Sequence, residues 1–233
     1  MLVRPASMVQ EVYPLIDSHA HLQEMEGLEG ALEKARSLGM VAVIAVGSNH
    51  QSNVETLEIS ERHPAFVYPA LGLHPWALAE MGASEIDESL RFIEDNMEKA
   101  VAIGEIGLDY HKRLRAAVDK DRQQAVLKDA LRLAQKYDKP VILHCRYAWK
   151  DCFDLVQQMG VKKAVFHWYT GFTSVLREIV ALGYLVSATP AAEYHGEHRR
   201  AIREAPLTSL LLETDSPVEY GGRRDIAPSR QIL

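Results

Sequence analysis

PVILHCRYAWKDCFDLVQQMGVKKAVFH, residues 140–167, reads as strand, helix and strand in turn. Val141–Cys145 is a β-branched apolar run behind Pro140. Trp149–Met159 then has helix character and stops at Gly160, where a residue following a helix commonly needs a left-handed backbone. Ala164–His167 is a second short apolar run, and each run ends in histidine, His144 and His167.

The same unit recurs in both directions along the chain. Strands are expected at Leu15–His21, Val41–Gly47, Phe66–Gly72, Val101–Gly107, Tyr184–Ser187 and Ser209–Thr214, which makes eight with the two above. Helices are expected at Leu28–Leu38, Ser52–Arg62, Glu85–Lys99, Asp119–Tyr137, Thr173–Leu182 and His195–Glu204, with Gly39 and Gly183 closing two of them. Strict alternation implies a parallel sheet covered on both faces. Eight repeats, at a length close to the roughly 250 residues of such folds, imply an α/β architecture closed into a (β/α)₈ TIM barrel. No linker or composition shift divides residues 1–233, so one barrel domain is expected. Only sixteen residues follow Pro217, among them Gly221, Gly222 and Pro228, so the eighth helix is expected to be missing or truncated. The outer faces of the last and first strands would then lack a covering helix.

Of the 233 residues, 47% are hydrophobic and 25% charged, which is soluble globular composition. Twenty-six Lys and Arg against 32 Asp and Glu leave a net charge of −6, so bulk charge does not hold nucleic acid. Phosphate chemistry would need a local positive centre. Two cysteines, Cys145 and Cys152, make no disulfide framework and are read as packing residues. No secretory signal or membrane-spanning run is evident, and a cytoplasmic protein is expected.

Polar residues fall repeatedly at strand ends. His19 and His21 close the first strand, Glu105 the fourth, His144 the fifth, His167 the sixth and Asp215 the eighth. Residues i and i+2 on a strand share a side, so both imidazoles of the first can face inward. In a parallel barrel these ends gather on one face. Left unpartnered, such groups are costly to bury, and imidazole with carboxylate is a standard donor set for divalent metals. Six ligands exceed one tetrahedral site, so two ions (Zn, Mg or Mn) are expected. Arg146, two residues beyond His144, is a candidate for phosphate.

The strings Asp17-Ser-His19-Ala-His21-Leu22, Gly72-Leu-His74-Pro75, Gly104-Glu105-Ile-Gly107-Leu-Asp109-Tyr110, Pro140-Val-Ile-Leu-His144, His167-Trp-Tyr-Thr-Gly171 and Glu213-Thr-Asp215-Ser-Pro217 together resemble the TatD family of metal-dependent deoxyribonucleases, within the amidohydrolase-like barrels. The resemblance covers about residues 15–217. It implies that His19 and His21 ligate one metal, that Glu105 bridges to a second held by His144 and His167, and that Asp215 ligates the first and handles the attacking water. His74 is implied to contact substrate phosphate. The implied reaction is hydrolysis of DNA phosphodiester bonds from a 3′ end, with DNA, as single strands or 3′ ends, as partner. The chain departs from the family in reading His167-Trp168-Tyr169-Thr170-Gly171 where His-Cys-Phe-Ser-Gly is common, in a dozen residues before the first strand, and in lacking the closing helix. The alternative is an amidohydrolase or phosphoesterase acting on a small molecule; related barrels often bridge their metals with a modified Lys, and Glu105 in that place favours the nuclease.

Other residues carry weaker expectations. Trp76 and Tyr110 are candidates to stack on bases. Arg199, Arg200, Arg223, Arg224 and Arg230 are read as solvated charge. His195-Gly-Glu-His198 has a metal-like spacing but starts a helix, and is expected to be exposed.

Overall fold

Eight strands pair in chain order, every one parallel to the next: β1 (Leu15–Ala20), β2 (Met40–Val46), β3 (Val67–Leu71), β4 (Ala102–Asp109), β5 (Val141–Arg146), β6 (Ala164–Phe166), β7 (Leu185–Ala188) and β8 (Leu210–Leu212). Between them lie α1 (Leu28–Ser37), α2 (His50–Arg62), α3 (Ala83–Asp95), α4 (Lys112–Arg115), α5 (Lys120–Lys136), α6 (Trp149–Gln158), α7 (Thr173–Ala181) and α8 (Gly196–Glu204). The computed structural model describes residues 13–220 and forms a nearly closed TIM barrel.

The helices begin where side chains satisfy free backbone N–H groups. Asn49 accepts from the Ser52 amide at 2.9 Å, and Ser52 Oγ accepts from the Asn49 amide at 2.9 Å, a reciprocal cap on α2. Asp119 accepts from the Arg122 amide at 2.7 Å and starts α5. One face of α5, with Val126, Leu127, Ala130, Leu131 and Ala134, is buried against the sheet. Truncating Leu127 or Leu131 to Ala there would cost about 2–5 kcal/mol. Inside the barrel a separate small cluster, Val46, Ala70, Ala102 and Ile142, fills the narrow lumen. The C-terminal strand ends above it are left to polar residues.

The barrel has one joint without a strand ladder, between β8 and β1. There the Asp215 amide donates to the His19 carbonyl at 2.9 Å and the His21 amide to the Ser216 carbonyl at 2.7 Å. The Asp17 carboxylate also accepts from the Thr214 amide and hydroxyl, at 3.0 and 2.6 Å. β8 is shorter than the sequence suggested, because Asp215 takes a left-handed backbone (φ 51°) and the chain turns into these cross-joint bonds. α4 was not anticipated; one turn of Lys112-Arg-Leu-Arg115 has no periodicity to read.

Among the described residues no helix follows β8, and Ile16 and Leu212 are 54% and 57% exposed. Gly221, Gly222 and Pro228, on which the expected truncation rested, lie outside the described residues, as do Arg223, Arg224 and Arg230. No helix among the described residues is long and apolar enough to cross a membrane.

Candidate metal centre

Two of the strands that carry site residues break their own alternation at the residue that matters. Asp17 pairs with Val43 but Ala20 pairs with Ala45, so β1 holds an extra residue around His19. Asp17, in register with Val43, lies on the helix side with Leu32 and Ala35. The bulge inverts the phase and lets His19 face the lumen. In β4, Ile103 pairs with Val141 but Ile106 with Leu143, which places a second bulge at Glu105; the Gly104–Glu105 peptide is cis. Simple i, i+2 spacing from Asp17 would have turned His19 outward.

Glycines make room for this. A Cβ on Gly72 would sit 2.4 Å from the Glu105 amide nitrogen, and one on Gly107 (φ 151°) only 2.0 Å from the His144 carbonyl oxygen. Gly104 would meet Ile142 Cβ at 2.7 Å.

Glu105 is almost wholly buried, and five imidazoles close on its carboxylate. His167 Nε2 and His144 Nδ1 stand 2.8 and 2.9 Å from Oε1, and His74 Nε2 stands 3.7 Å from it. His21 and His19 Nε2 stand 3.4 and 3.5 Å from Oε2. Asp215 Oδ1 faces the same pair across the joint, 3.4 Å from His19 and 3.5 Å from His21. The six strand-end residues expected from the sequence therefore meet in one cup. Glu213 lies 3.4 Å from His167 Nδ1, and Asp109 lies 3.1 Å from His144 Nε2.

Burial would raise the Glu105 carboxyl, but the surrounding imidazoles, His167 foremost, outweigh it and hold it well below the usual range. The reciprocal effect raises His167 and His144: burial pushes each down, and Glu105 with, for His144, Asp109 lifts them above an ordinary imidazole. His21 is likewise raised, its burial outweighed by Glu105. Asp215 is raised by burial, offset in part by His19 and His167. Without a metal, protons on imidazoles supply the positive charge that these carboxylates require. A divalent cation does the same and displaces those protons.

The donor set fits such an ion. Three groups bring one ligand atom per residue within 4.8 Å of one another: His19, His21 and Asp215; His74, Glu105 and His144; and His19, His167 and Glu213. The buried Nδ1 atoms of His19 and His21 have no hydrogen-bond partner among the described residues. Asp109 is fully buried and also accepts from the Trp76 indole N–H at 2.6 Å and the His111 amide at 2.7 Å. Burial would raise its carboxyl, but these bonds and His144 hold it down to about 2. It is a permanent anion behind His144, the arrangement that orients a ligating imidazole.

His74 behaves differently from the other imidazoles. Burial, then the neighbouring His144, push it down to about 3, so it is neutral. Its Nδ1 accepts from the Trp76 amide at 3.1 Å, which puts the ring proton on Nε2, the atom facing the site. That atom is a hydrogen-bond donor.

Arg146 sits outside the cup, exposed at the end of β5 with its guanidinium 5.8 Å from the Tyr147 ring centroid. Tyr110 is not free to stack on bases: it is buried, donates to Asp151 at 2.9 Å and lies under Lys120. His198 corrects a further expectation. It is fully buried rather than exposed, with Nε2 accepting from the Thr189 amide at 3.0 Å and Nδ1 donating to the Tyr169 carbonyl at 2.8 Å. Helical position alone had suggested solvent, but the imidazole reaches under the loop after β7 to satisfy two backbone groups. His195 caps α8 and stays partly exposed. Cys145 and Cys152 are buried together, as expected. Glu213, Asp109 and Asp17 carry part of the site, and sequence reasoning assigned them no role. Asp109 stands four after Glu105 on β4, where alternation could have found it, whereas Glu213 lies just beyond the end of β8.

The chain is similar to known proteins over most of its length. A family model described as TatD related DNase matches residues 16–229. Deoxyribonuclease TATDN3 of Homo sapiens is 32% identical over 228 residues, covering 94% of this chain and 81% of that protein. The 3'-5' ssDNA/RNA exonuclease TatD of a Pantoea species is 32% identical over 195 residues, covering 81% of this chain and 73% of its own length. Among solved structures, the TatD homolog YJJV of Escherichia coli K12 superposes with a TM-score of 0.82 at 29% identity, covering 94% of this chain and 86% of the other.

Proposed function

The chain belongs to the TatD-related DNase family of metal-dependent hydrolases, and from that premise we propose that it hydrolyses phosphodiester bonds of single-stranded DNA from the 3′ end at a two-metal centre. The observation that carries the reading is the convergence of five imidazoles on Glu105 with Asp215 facing them across the joint. His19, His21 and Asp215 would hold one ion and His144 and His167 the other, with Glu105 shared. When bound, the ions supply Lewis-acid activation of water and neutralise charge on the phosphate.

The protein's own residues do the rest. Asp215 accepts the proton of the attacking water from its place across the joint, 3.4 and 3.5 Å from His19 and His21. His74 donates from Nε2 to a phosphate oxygen, and its neutrality keeps it from competing as a cation. Asp109 holds His144 with Nε2–H pointing away from Glu105, leaving Nδ1 free as the ligand atom. Arg146 at the rim neutralises the strand beyond the scissile bond. The 3′ polarity and the single-stranded substrate follow the name of the Pantoea relative, and the DNA substrate that of the human one.

The test uses metal-depleted protein, reloaded with Zn²⁺, Mg²⁺ or Mn²⁺, on a 5′-labelled single-stranded oligonucleotide. The expected result is a ladder shortening from the 3′ end that chelator abolishes. Cleavage that survives full metal removal, or turnover confined to small amides and lactones, overturns the reading.

A further inference from the structure

Next to the cup, three successive strand-to-helix loops on the same barrel face carry aromatic rings in a row. Trp76 follows β3, His111 follows β4 and Tyr147 follows β5. Trp76 and His111 have ring centroids 6.4 Å apart with planes 26° from parallel, and His111 and Tyr147 have centroids 6.1 Å apart at 22°. That spacing is nearly twice the ~3.4 Å between stacked bases. Trp76 is 40% exposed and Tyr147 69%, so both rings are open to a ligand from solvent. Tyr147 also holds a positive φ of 57°, a backbone state that non-glycine residues keep chiefly where surrounding structure imposes it.

The row is fastened to the metal centre. Asp109, which bonds His144, accepts the Trp76 indole N–H on the same oxygen and the His111 amide on the other. It is also flanked by cations. Lys112, Arg113 and Arg115 of α4 are exposed immediately after His111, and Arg146 lies beside Tyr147. None of these four is ion-paired to a carboxylate among the described residues, whereas Lys99, Lys136 and Lys150 elsewhere on the surface are. In a chain of net charge −6, aromatic faces interleaved with free cations form a surface of the opposite character.

We propose that the Trp76–His111–Tyr147 row is a stacking platform for the unpaired bases of a single-stranded nucleic acid, whose phosphates run along α4 and Arg146 toward His144. Base–aromatic stacking tolerates any sequence and needs exposed base faces, which a duplex keeps against one another. The platform thus selects single strands by what it touches, and it places the backbone beside the catalytic cup. This rests on the nucleic-acid substrate proposed above.

The test measures binding of the metal-loaded full chain to a fluorescein-labelled, phosphorothioate-linked oligothymidylate ten-mer by fluorescence anisotropy, with cleavage of the unmodified ten-mer scored separately. Tyr147→Ala is expected to raise Kd roughly fivefold to 150-fold, and Tyr147→Phe to restore it. Replacing Lys112 and Arg113 with Gln is expected to lower the slope of log affinity against log salt by about 1.4. Equal binding by Tyr147→Ala and wild type, equal binding of a blunt duplex and the single strand, or no oligonucleotide binding at all overturns the platform. Cleavage with unchanged Tyr147→Ala binding rejects the platform and keeps the nuclease; binding that depends on Tyr147 without cleavage does the reverse.

Discussion

One methyl group added at two glycines should move stability in opposite directions. At Gly107 the new Cβ would lie 2.0 Å from the His144 carbonyl oxygen and 2.8 Å from its carbonyl carbon, both backbone atoms that cannot swing aside. Gly107 pairs with His144 across β4 and β5, so the two strands must separate at the rung that aims His144 at Glu105. Overpacking of this kind costs about 1–3 kcal/mol. The φ of 151° adds a conformational cost of about 1–3 kcal/mol for any L residue. Together, roughly 2–6 kcal/mol is a large part of a typical stability of about 5–15 kcal/mol. At about 2–4 °C per kcal/mol for a chain of this size, Gly107→Ala should melt roughly 4–24 °C lower. Gly30, by contrast, sits in the first turn of α1 with no atom within 4 Å of the added Cβ. Gly30→Ala should gain up to about 0.5 kcal/mol, less than the value for a helix interior, and melt slightly higher. Circular-dichroism melts of both variants, with metal content measured by atomic absorption, decide the matter. If Gly107→Ala melts with the parent and keeps its full metal complement, the close β4–β5 contact does not exist as described.

Three further outcomes are expected. Asp215→Asn should bind substrate but lower kcat by about 10²–10⁴-fold, as loss of a general base does, measured as single-turnover cleavage; unchanged kcat removes the role. Asp109→Asn should weaken metal affinity about 10–100-fold, read by competition with a chelating dye, because Asp109 no longer fixes His144. His198, buried and neutral, has its pKa lowered by burial, so the unfolded chain takes up a proton below pH 6.5 that the folded one does not. That contribution to stability is complete above pH 6.5 and is lost as pH falls toward the folded value. Urea midpoints should therefore drop on acidification, and His198→Gln should flatten the drop.

The alternation of strand and helix was readable because each unit carries its own period, and the convergence of the six strand-end side chains came with it. The bulges at His19 and Glu105 were not, since a bulge is a register mismatch between two strands and neither strand records it alone. His19 was expected to face inward on spacing from His21, which holds, yet Asp17, two residues earlier, faces the helix layer. Burial pushes that carboxyl up to about 7, a role in the joint that its sequence position next to two histidines hid. Asp109 was legible in kind, being a carboxylate on β4 in phase with Glu105, whereas Glu213 lies where the chain has already left β8. His198 was not: its burial depends on where the loop after β7 falls, a tertiary fact.

The unladdered joint between β8 and β1 has a consequence for how the molecule is made. On the proposed ligand set, His19 and His21 stand on one side of that gap and Asp215 on the other. A cation shared by them is a clasp between the first and last strands of the barrel, so loading the site and closing the hoop are a single equilibrium. Starved of metal, the protein should breathe first at its seam, where hydrogen exchange at the amides of His21 and Asp215 would record the opening.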